Sequence, residues 1–384
     1  MAIIKTGIVG TGMIGPLHIE ALRRLSGIEP AVLVESNLAI ARSKAEVLGV
    51  PTALGDWHEL IAMTDIDVVH VCTPNYLHYQ IVKEAIAAGK HVVCEKPLSN
   101  TAVEAEELVR LARSAGSVNA VHFNVRFYPL MRTIHNMIAA GELGEIYDIQ
   151  GSYLQDWLFY DTDYNWRLEP EYSGESRAIA DIGSHWMDLM EYVTGRRVVE
   201  VNADFRTVHN TRKKPRQSAE TYSSKVASTA EYDEVPINTE DYASVLLGFD
   251  NGARGVVTVS QVAAGRKNRL FFEIHGSKQS LMWESERPNE LWIGRREAPN
   301  GQLLKDPALA VGDSASLMGW PGGHNEGFPD TTKQLFAQVY QHIRTGKPGP
   351  IRYPTFEDGL REVVLCETIL QSSQRRAWTE VEGS

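Results

Sequence analysis

The sequence predicts an α/β protein of two domains. The first has a parallel, doubly wound sheet; the second is α+β with a large open, mainly antiparallel sheet. Three observations carry this. The chain has 384 residues, more than one core ordinarily serves. Up to residue 122, short Val- and Ile-rich runs alternate with amphipathic stretches, the rhythm of βαβ units. Beyond that point strand signals dominate, as in antiparallel sheets. The predicted boundaries are therefore 1–122 and 123–384.

In the first domain the strand signals are Ile3–Val9, Ala31–Val34, Val68–Cys72, His91–Cys94 and Asn119–His122. The amphipathic segments between them are Ile14–Leu25, Leu38–Leu48, Leu77–Ala88 and Ala102–Ala115. In the second, a helix over Pro129–Ala140 leads into a strand over Ile146–Leu154, and a helix is expected near His185–Val193. Strands follow at Val199–Arg206, Tyr242–Phe249, Arg254–Ser260, Leu270–His275, Ser280–Trp283 and Leu291–Ile293. Asp250-Asn251-Gly252 is a hairpin turn signal. Two late helices, Thr331–Thr345 and Phe356–Arg375, are assigned to the second domain. The polar stretch 210–238, opening on Arg212-Lys213-Lys214-Pro215-Arg216, reads as a solvated excursion between strands.

Composition removes several function classes. A net charge of −11 argues against nucleic acid and anionic membrane, because phosphate binding needs a basic face. The three cysteines, Cys72, Cys94 and Cys366, make neither a disulfide framework nor a C-x-x-C site. No run approaches the roughly 18 apolar residues of a membrane span, and the chain opens on a strand rather than a signal peptide. A cytoplasmic location is expected. No His-x-x-x-His occurs, and His185 with Asp188 is too thin a set for a catalytic metal.

Gly10-Thr11-Gly12-Met13-Ile14-Gly15 follows the first strand and opens the first helix. G-x-G-x-x-G gains meaning from that context and from an acid about twenty residues on, Glu35. Gly10 permits the tight turn, Gly12 lets backbone approach a pyrophosphate, and Gly15 allows close helix–strand packing. Glu35 is expected to accept hydrogen bonds from the adenosine ribose and to repel a 2′-phosphate, so NAD is favoured over NADP. Arg42, one or two helical turns on, is a cation within reach of the adenosine end.

Two more segments end strands at the ligand-binding edge of such a sheet. They are Cys72-Thr73-Pro74-Asn75-Tyr76-Leu77-His78 and Cys94-Glu95-Lys96-Pro97. Taken alone, Lys96 reads as a surface lysine at a strand end. In the second domain Asp181 and His185 stand at i, i+4 and share a face if a helix begins there. The plainer readings are that Asp181 or Ser184 caps the helix and that His185 is packed in a core.

Together these segments resemble the glucose–fructose oxidoreductase/inositol dehydrogenase (Gfo/Idh/MocA) family. The matches are the loop from Gly10, Thr73-Pro74-Asn75 with His78, Glu95-Lys96-Pro97, Asn124-Val125-Arg126-Phe127, and Asp181 with Gly183 and His185. The resemblance covers nearly the whole chain, and it implies a Rossmann domain followed by a substrate-binding and oligomerisation domain. It also implies catalytic Lys96 before a cis proline, with Asp181 and His185 as active-site pair. Cofactor contacts are then expected from Gly10, Gly12, Met13, Ile14, Glu35, Thr73, Pro74, Asn75, His78, Glu95 and Lys96. Where the family usually carries glycines ahead of the aspartate, this chain has Ser173-Gly174-Glu175-Ser176-Arg177-Ala178. Tyr153-Leu154-Gln155-Asp156-Trp157, Trp166-Arg167 and Phe272–Gly276 look most like the levoglucosan-dehydrogenase and related sugar-oxidising branches.

The reading that follows is an NAD-dependent dehydrogenase moving a hydride between nicotinamide and a carbinol carbon of a sugar, anhydrosugar, glycoside or inositol. His185 is assigned as base, Asp181 as its orienter or onward acceptor, and Lys96 as donor to the reacting oxygen. The reverse, with Lys96 as base, stays open. Arg126, Tyr153, Asp156, Trp166 and Arg167 are candidate sugar or cofactor contacts, and Trp166 reads equally as core. The competing classes are an enzyme that uses retained NAD transiently and a non-catalytic dinucleotide sensor. A homodimer or homotetramer paired through the open sheet is expected.

Overall fold

In the first sheet, buried runs of Val and Ile pair side by side as parallel strands. The computed structural model describes residues 3–216, 231–346 and 351–383. The opening elements are β1 (Ile4–Val9), α1 (Ile14–Arg23), β2 (Ile28–Val34), α2 (Leu38–Leu48), β3 (Thr52–Leu54) and α3 (Trp57–Ala62). After them come β4 (Val68–Val71), α4 (His78–Ala87), β5 (His91–Cys94), α5 (Ala102–Ala115) and β6 (Asn119–Val121). The strand order is β3-β2-β1-β4-β5-β6, and every neighbouring pair is parallel. That is a Rossmann-type order, reversing direction at β1. β3 and α3 carry too few residues to give a periodic signal, so sequence reasoning passed over them.

The chain continues through α6 (Met131–Ala139), β7 (Ile146–Leu154), the one-turn α7 (Pro170–Ser173), α8 (Ser184–Thr194) and β8 (Val198–Arg206). Strands β9 (Thr211–Pro215) and β10 (Tyr232–Pro236) pair as a hairpin. Six further strands are β11 (Tyr242–Phe249), β12 (Arg254–Ser260), β13 (Arg269–Gly276), β14 (Ser280–Glu284), β15 (Glu290–Gly294) and β16 (Gly301–Leu304). The last elements are α9 (Phe328–Thr345), α10 (Phe356–Arg375) and β17 (Thr379–Glu380). The second sheet runs β16-β15-β14-β13-β7-β12-β11-β8-β17. Only β7 and β12 pair in parallel. The β11–β12 connection turns through Gly252, whose φ of +85° is open to glycine at no steric cost. Along β11, Ala243, Val245 and Leu247 are buried while Leu246 is exposed, the period-two pattern of a sheet with one covered face. No helix among the described residues is long and apolar enough to cross a membrane.

The residues group into two units: Met1–Asn124, Glu171–Gly174 and Pro329–Val363 in one; Val125–Pro170, Glu175–Phe328 and Val364–Ser384 in the other. The late helices, assigned by chain order to the second domain, thus divide differently. Most of α9 and the start of α10 belong with the Rossmann sheet. The cause is a set of buried polar and aromatic contacts invisible in linear order. Phe336 of α9 lies against His18 and His70 with ring centroids 4.8 and 4.9 Å apart. Tyr340 meets His70 Nε2 at 2.7 Å.

The stretch 210–238 also departs from its solvated reading. Arg212 is fully buried. Its guanidinium donates to the carbonyls of Leu158, Tyr160 and Asp163 and to Asp241, so its cost of burial is offset by hydrogen bonds and a partner charge. Residues 217–230 lie outside the described residues.

His18 on α1, His70 on β4, Glu95 after β5 and His122 after β6 form one buried network. Glu95 Oε1 contacts His18 Nε2 at 3.0 Å and His122 Nδ1 at 2.6 Å. His18 Nδ1 meets His70 Nδ1 at 2.9 Å. One assignment of protons satisfies this chain with neutral rings: Tyr340 O–H donates to His70, His70 Nδ1–H to His18, and His18 Nε2–H to the Glu95 carboxylate. Burial would raise the Glu95 pKa, but its two imidazole partners outweigh that and hold it well below the ordinary range. Burial pushes His18 down from 6.5 to about 4 and lowers His70 well below its ordinary value.

These shifts fix an acid sensitivity. Below about pH 6.5 the unfolded chain takes up protons that buried His18 and His70 refuse, so stability falls by about 1.4 kcal/mol per pH unit for each histidine. Glu95, with a depressed pKa, adds a further loss only below the unfolded carboxylate range. The thermal midpoint should drop steeply from pH 7 to pH 5; a flat midpoint over that interval would contradict the network.

Candidate functional site

The glycine loop is built as a dinucleotide cradle. A Cβ at Gly10 (φ +90°) would sit 2.7 Å from the Cys72 carbonyl oxygen, and one at Gly15 would sit 2.2 Å from the Gly10 carbonyl oxygen. Neither position admits a side chain. Around Gly12, by contrast, nothing lies within 4 Å, leaving space for a ligand against the backbone. Helix α1 starts after Met13 with no side-chain cap and no acid in its first turn, so its first N–H groups are directed at an anion site. Met13 is exposed beside the loop and Ile14 is half-buried. Thr73 Oγ1 is buried with no hydrogen-bond partner, a polar atom awaiting one. These features fit a bound dinucleotide.

Glu35 follows β2 and faces the glycine loop. Its Oε1 accepts from Thr11 N at 2.8 Å, from the Thr11 hydroxyl and from Lys44 Nζ at 3.0 Å. Burial opposes ionisation there, yet the Thr11 and Lys44 hydrogen bonds hold the carboxyl below its ordinary pKa. Oε2 has a long contact of 3.3 Å from Ser36 N, which leaves it capacity to accept further hydrogen bonds. Lys44, rather than the exposed Arg42, is the cation at this carboxylate, and Lys44 Nζ also donates to Thr11 O at 2.9 Å. Sequence spacing favoured Arg42 only because the helix rotation was unknown.

Several other expected contacts are turned inward. His78 is fully buried, its two ring nitrogens 2.7 and 2.9 Å from the carbonyl oxygens of Pro97 and Thr73. It ties those two strand-end segments together; burial lowers its pKa against the pull of both carbonyls. Glu95 faces the histidine network rather than the edge of the sheet. Asn75 Nδ2 donates to the Ser173 carbonyl at 3.1 Å. Pro74 precedes the short turn Asn75–Leu77. Lys96 is half-buried, and the Lys96–Pro97 peptide is cis.

In the second unit, Asp181 is not a helix cap. It lies within a π-helical turn, Ile179–Gly183, that runs into α8, an irregularity often found at functional sites. Asp181 Oδ2 accepts from Gln261 Nε2 at 2.8 Å and Oδ1 from Arg167 Nε at 3.3 Å. His185 follows on α8, largely buried, with the Tyr153 ring 6.3 Å from its own. Tyr153 OH donates to Asn268 Oδ1 at 2.8 Å, as does Gln155 Nε2 at 2.7 Å. Arg167 lies over the half-buried Trp166 ring, 4.5 Å from its centroid, so arginine and indole stand with Asp181.

Two expected contacts are engaged elsewhere. Asp156 accepts from Lys267 Nζ at 2.7 Å and Gly265 N at 3.0 Å, anchoring the loop before β13. Arg126 forms a two-pronged pair with fully buried Asp188 and lies 5.0 Å over the Tyr192 ring. Sequence reasoning missed Lys44, His18, His122, Gln261 and Asn268. A single Gln just after one strand, or a single Asn just before another, has no motif to announce it.

A parallel nucleotide-binding sheet with a ligand-ready glycine loop, joined in one chain to a nine-stranded open sheet, defines a class of two-unit oxidoreductases. The chain belongs to the Gfo/Idh/MocA oxidoreductase family. Residues 4–123 match that family's NAD-binding Rossmann model, and residues 131–282 match a Gfo/Idh/MocA C-terminal domain model. It is 29% identical to levoglucosan dehydrogenase from Pseudarthrobacter phenanthrenivorans, over 98% of each chain. The structure of a levoglucosan dehydrogenase with NADH and L-sorbose superposes with a TM-score of 0.89 at 28% identity, covering 98% of both chains. An inositol dehydrogenase homologue with NAD+ from Azotobacter vinelandii gives 0.86 at 26%, over 99% of this chain and 97% of that one. The protein is thus an oxidoreductase with an NAD-binding domain.

The Glu35–Lys44 arrangement predicts a cofactor switch. Glu35→Ala should raise the NADP-to-NAD ratio of kcat/KM about tenfold or more, because a repelling carboxylate goes and Lys44 is freed for a 2′-phosphate. Adding Lys44→Met should remove that gain. An unchanged ratio in Glu35→Ala would contradict the assignment.

Proposed function

We propose that the protein is an NAD-dependent dehydrogenase oxidising a carbinol carbon of a sugar, anhydrosugar, glycoside or inositol. The observation that carries this is the state of Asp181: a carboxylate held by two donors at a π-turn, one turn before a buried histidine, with an aromatic and hydroxyl-bearing surround. The relatives named for levoglucosan and inositol oxidation support the same substrate class. Bound NAD would accept the hydride at its nicotinamide ring. NAD is favoured over NADP because Glu35 is ionised at neutral pH.

The chain's own residues handle the proton. His185 takes it from the carbinol oxygen, since imidazole titrates near neutral pH. Asp181 orients that imidazole or accepts the proton onward. Lys96, at the end of β5, donates to the reacting oxygen and stabilises negative charge as it develops. Tyr153 and Trp166 offer ring surface and a hydroxyl suited to a sugar. His78 and Glu95 act beneath the surface, fixing the backbone on which Thr73 and Lys96 are mounted.

The second sheet supports a further proposal, pairing with a second copy. Tyr147 on β7, Leu246 on β11 and Leu304 on β16 are about half exposed or more, an apolar content that a partner would cover. Light scattering should give a mass of at least two chains at micromolar concentration; a monomer mass contradicts this.

For the chemistry, Lys96→Ala, Asp181→Ala and His185→Ala should each lower kcat by about 10²–10⁴-fold with NAD affinity nearly intact. The low-pH limb of the kcat profile should vanish in His185→Ala. Survival of that limb there, with its loss in Lys96→Ala, would make lysine the base. A screen of NADH formation over aldoses, inositols, anhydrosugars and glycosides tests the substrate class. Product formation without stoichiometric NADH would point instead to transient use of retained NAD.

A further inference from the structure

Four residues ahead of Asp181 the chain places Arg177, and its side chain is almost wholly buried. Its Nε donates to Thr239 Oγ1 at 3.0 Å, its Nη2 to Asp241 Oδ1 at 2.5 Å, and its Nη1 to Gln261 Oε1 at 3.0 Å. Asp241 also takes a hydrogen bond from Arg212 at 2.8 Å. Gln261, one residue beyond β12, is itself fully buried. Its other side-chain atom meets Asp181 Oδ2 at 2.8 Å.

The chemistry of the two neighbours fixes which way this amide points. A guanidinium has donors only, so the atom facing Arg177 must be the carbonyl oxygen. The NH2 group is then forced toward Asp181. Flipping the amide would oppose N–H to N–H on one side and oxygen to carboxylate on the other. Arg177 is in turn fixed by Asp241 and Thr239, so the orientation is set from the core outward. Asp181 N also donates to Arg177 O at 2.8 Å, which ties the backbone of the π-turn to the same arginine.

We propose that Gln261 is a positioning residue: its amide, locked by Arg177, presents an obligatory donor that keeps the Asp181 carboxylate ionised and fixed in rotation. This rests on the proton-transfer role proposed above for Asp181 and His185. The charged and titratable groups around the carboxylate are Arg167 from the 166–168 turn, His185 along its own helix, and Arg177 behind Gln261. Behind Arg177 stand Glu240, Asp241 and Arg212. Arg167 and Gln261 both donate to the carboxylate, so removal of Gln261 takes away one of its donors.

The test has two arms. In protein labelled with 13C at aspartate carboxyls, the Asp181 signal is identified by its loss in Asp181→Asn. Its titration midpoint should move up by about one pH unit in Gln261→Leu. Gln261→Glu, which keeps an oxygen for Arg177 and preserves the fold, should also move it up. An unmoved midpoint in both variants overturns the proposal. In the second arm, Gln261→Leu should lower kcat for sugar oxidation about 10–100-fold with the NAD dissociation constant unchanged. In an Asp181→Asn background the same change should cost less than about twofold, because the two residues act as one unit. An equal loss in both backgrounds means that Gln261 serves the fold alone and overturns the proposal. If the unaltered protein oxidises no sugar, the dehydrogenase reading fails, and the titration arm still decides the role of Gln261.

Discussion

The Glu95 carboxylate, buried between His18 and His122, is the constraint on which the first unit is built. An ionised group removed from water is tolerated only when its partners and hydrogen bonds are complete. Here each partner comes from a different element: α1 just past the glycine loop, and the chain just past β6. Through His18 the network reaches His70 on β4 and Tyr340 on α9. One carboxylate thus fixes the far side of the loop that presents Gly12, the ends of two strands, and a helix distant in sequence. It also fixes Lys96, the next residue along the chain. The edge where chemistry is proposed is therefore stiffened from below by a polar network rather than by packing alone.

The second unit uses the same principle with a different cast. Arg177, Asp241 and Arg212 form a buried charge cluster in which Asp241 is shared by two guanidinium groups, and Gln261 carries its influence to Asp181. Lys96 and Asp181 are half-buried, while Glu95 beside Lys96 and Gln261 beside Asp181 are buried. This division suits an enzyme whose proton-transfer groups must keep one geometry through turnover. The cluster also ties down the turn that carries Asp181, because Arg177 accepts from Asp181 N through its carbonyl and holds Gln261 through its guanidinium.

The fold was legible wherever the signal was periodic. Val- and Ile-rich runs separated by amphipathic helices gave the parallel sheet, and alternation along β7, β11, β12 and β13 gave the antiparallel one. It failed for β3, β16 and β17, which are two to four residues long, and for the β9–β10 hairpin, whose polar residues imitate a solvated loop. Of the candidate site, the glycine loop, Glu35, Lys96, Asp181 and His185 could be named because local spacing and family likeness mark them. The orientation of His78 and Glu95 into the interior could not be, since a motif gives positions along the chain and not which way a side chain turns. Lys44, Gln261 and Arg177 lay beyond reach for a related reason. Their roles exist only through partners 9, 80 and 64 residues away, and no local pattern records such pairings.

The central claim is that a carbinol hydrogen passes as hydride to NAD while the chain's own groups remove the proton. The most direct measurement uses a sugar substrate carrying deuterium at its carbinol carbons, with the NADH formed analysed by mass spectrometry. The account predicts one deuterium in each NADH and as much NADH as sugar oxidised. Unlabelled NADH, or label released to solvent with no net NADH, would contradict it.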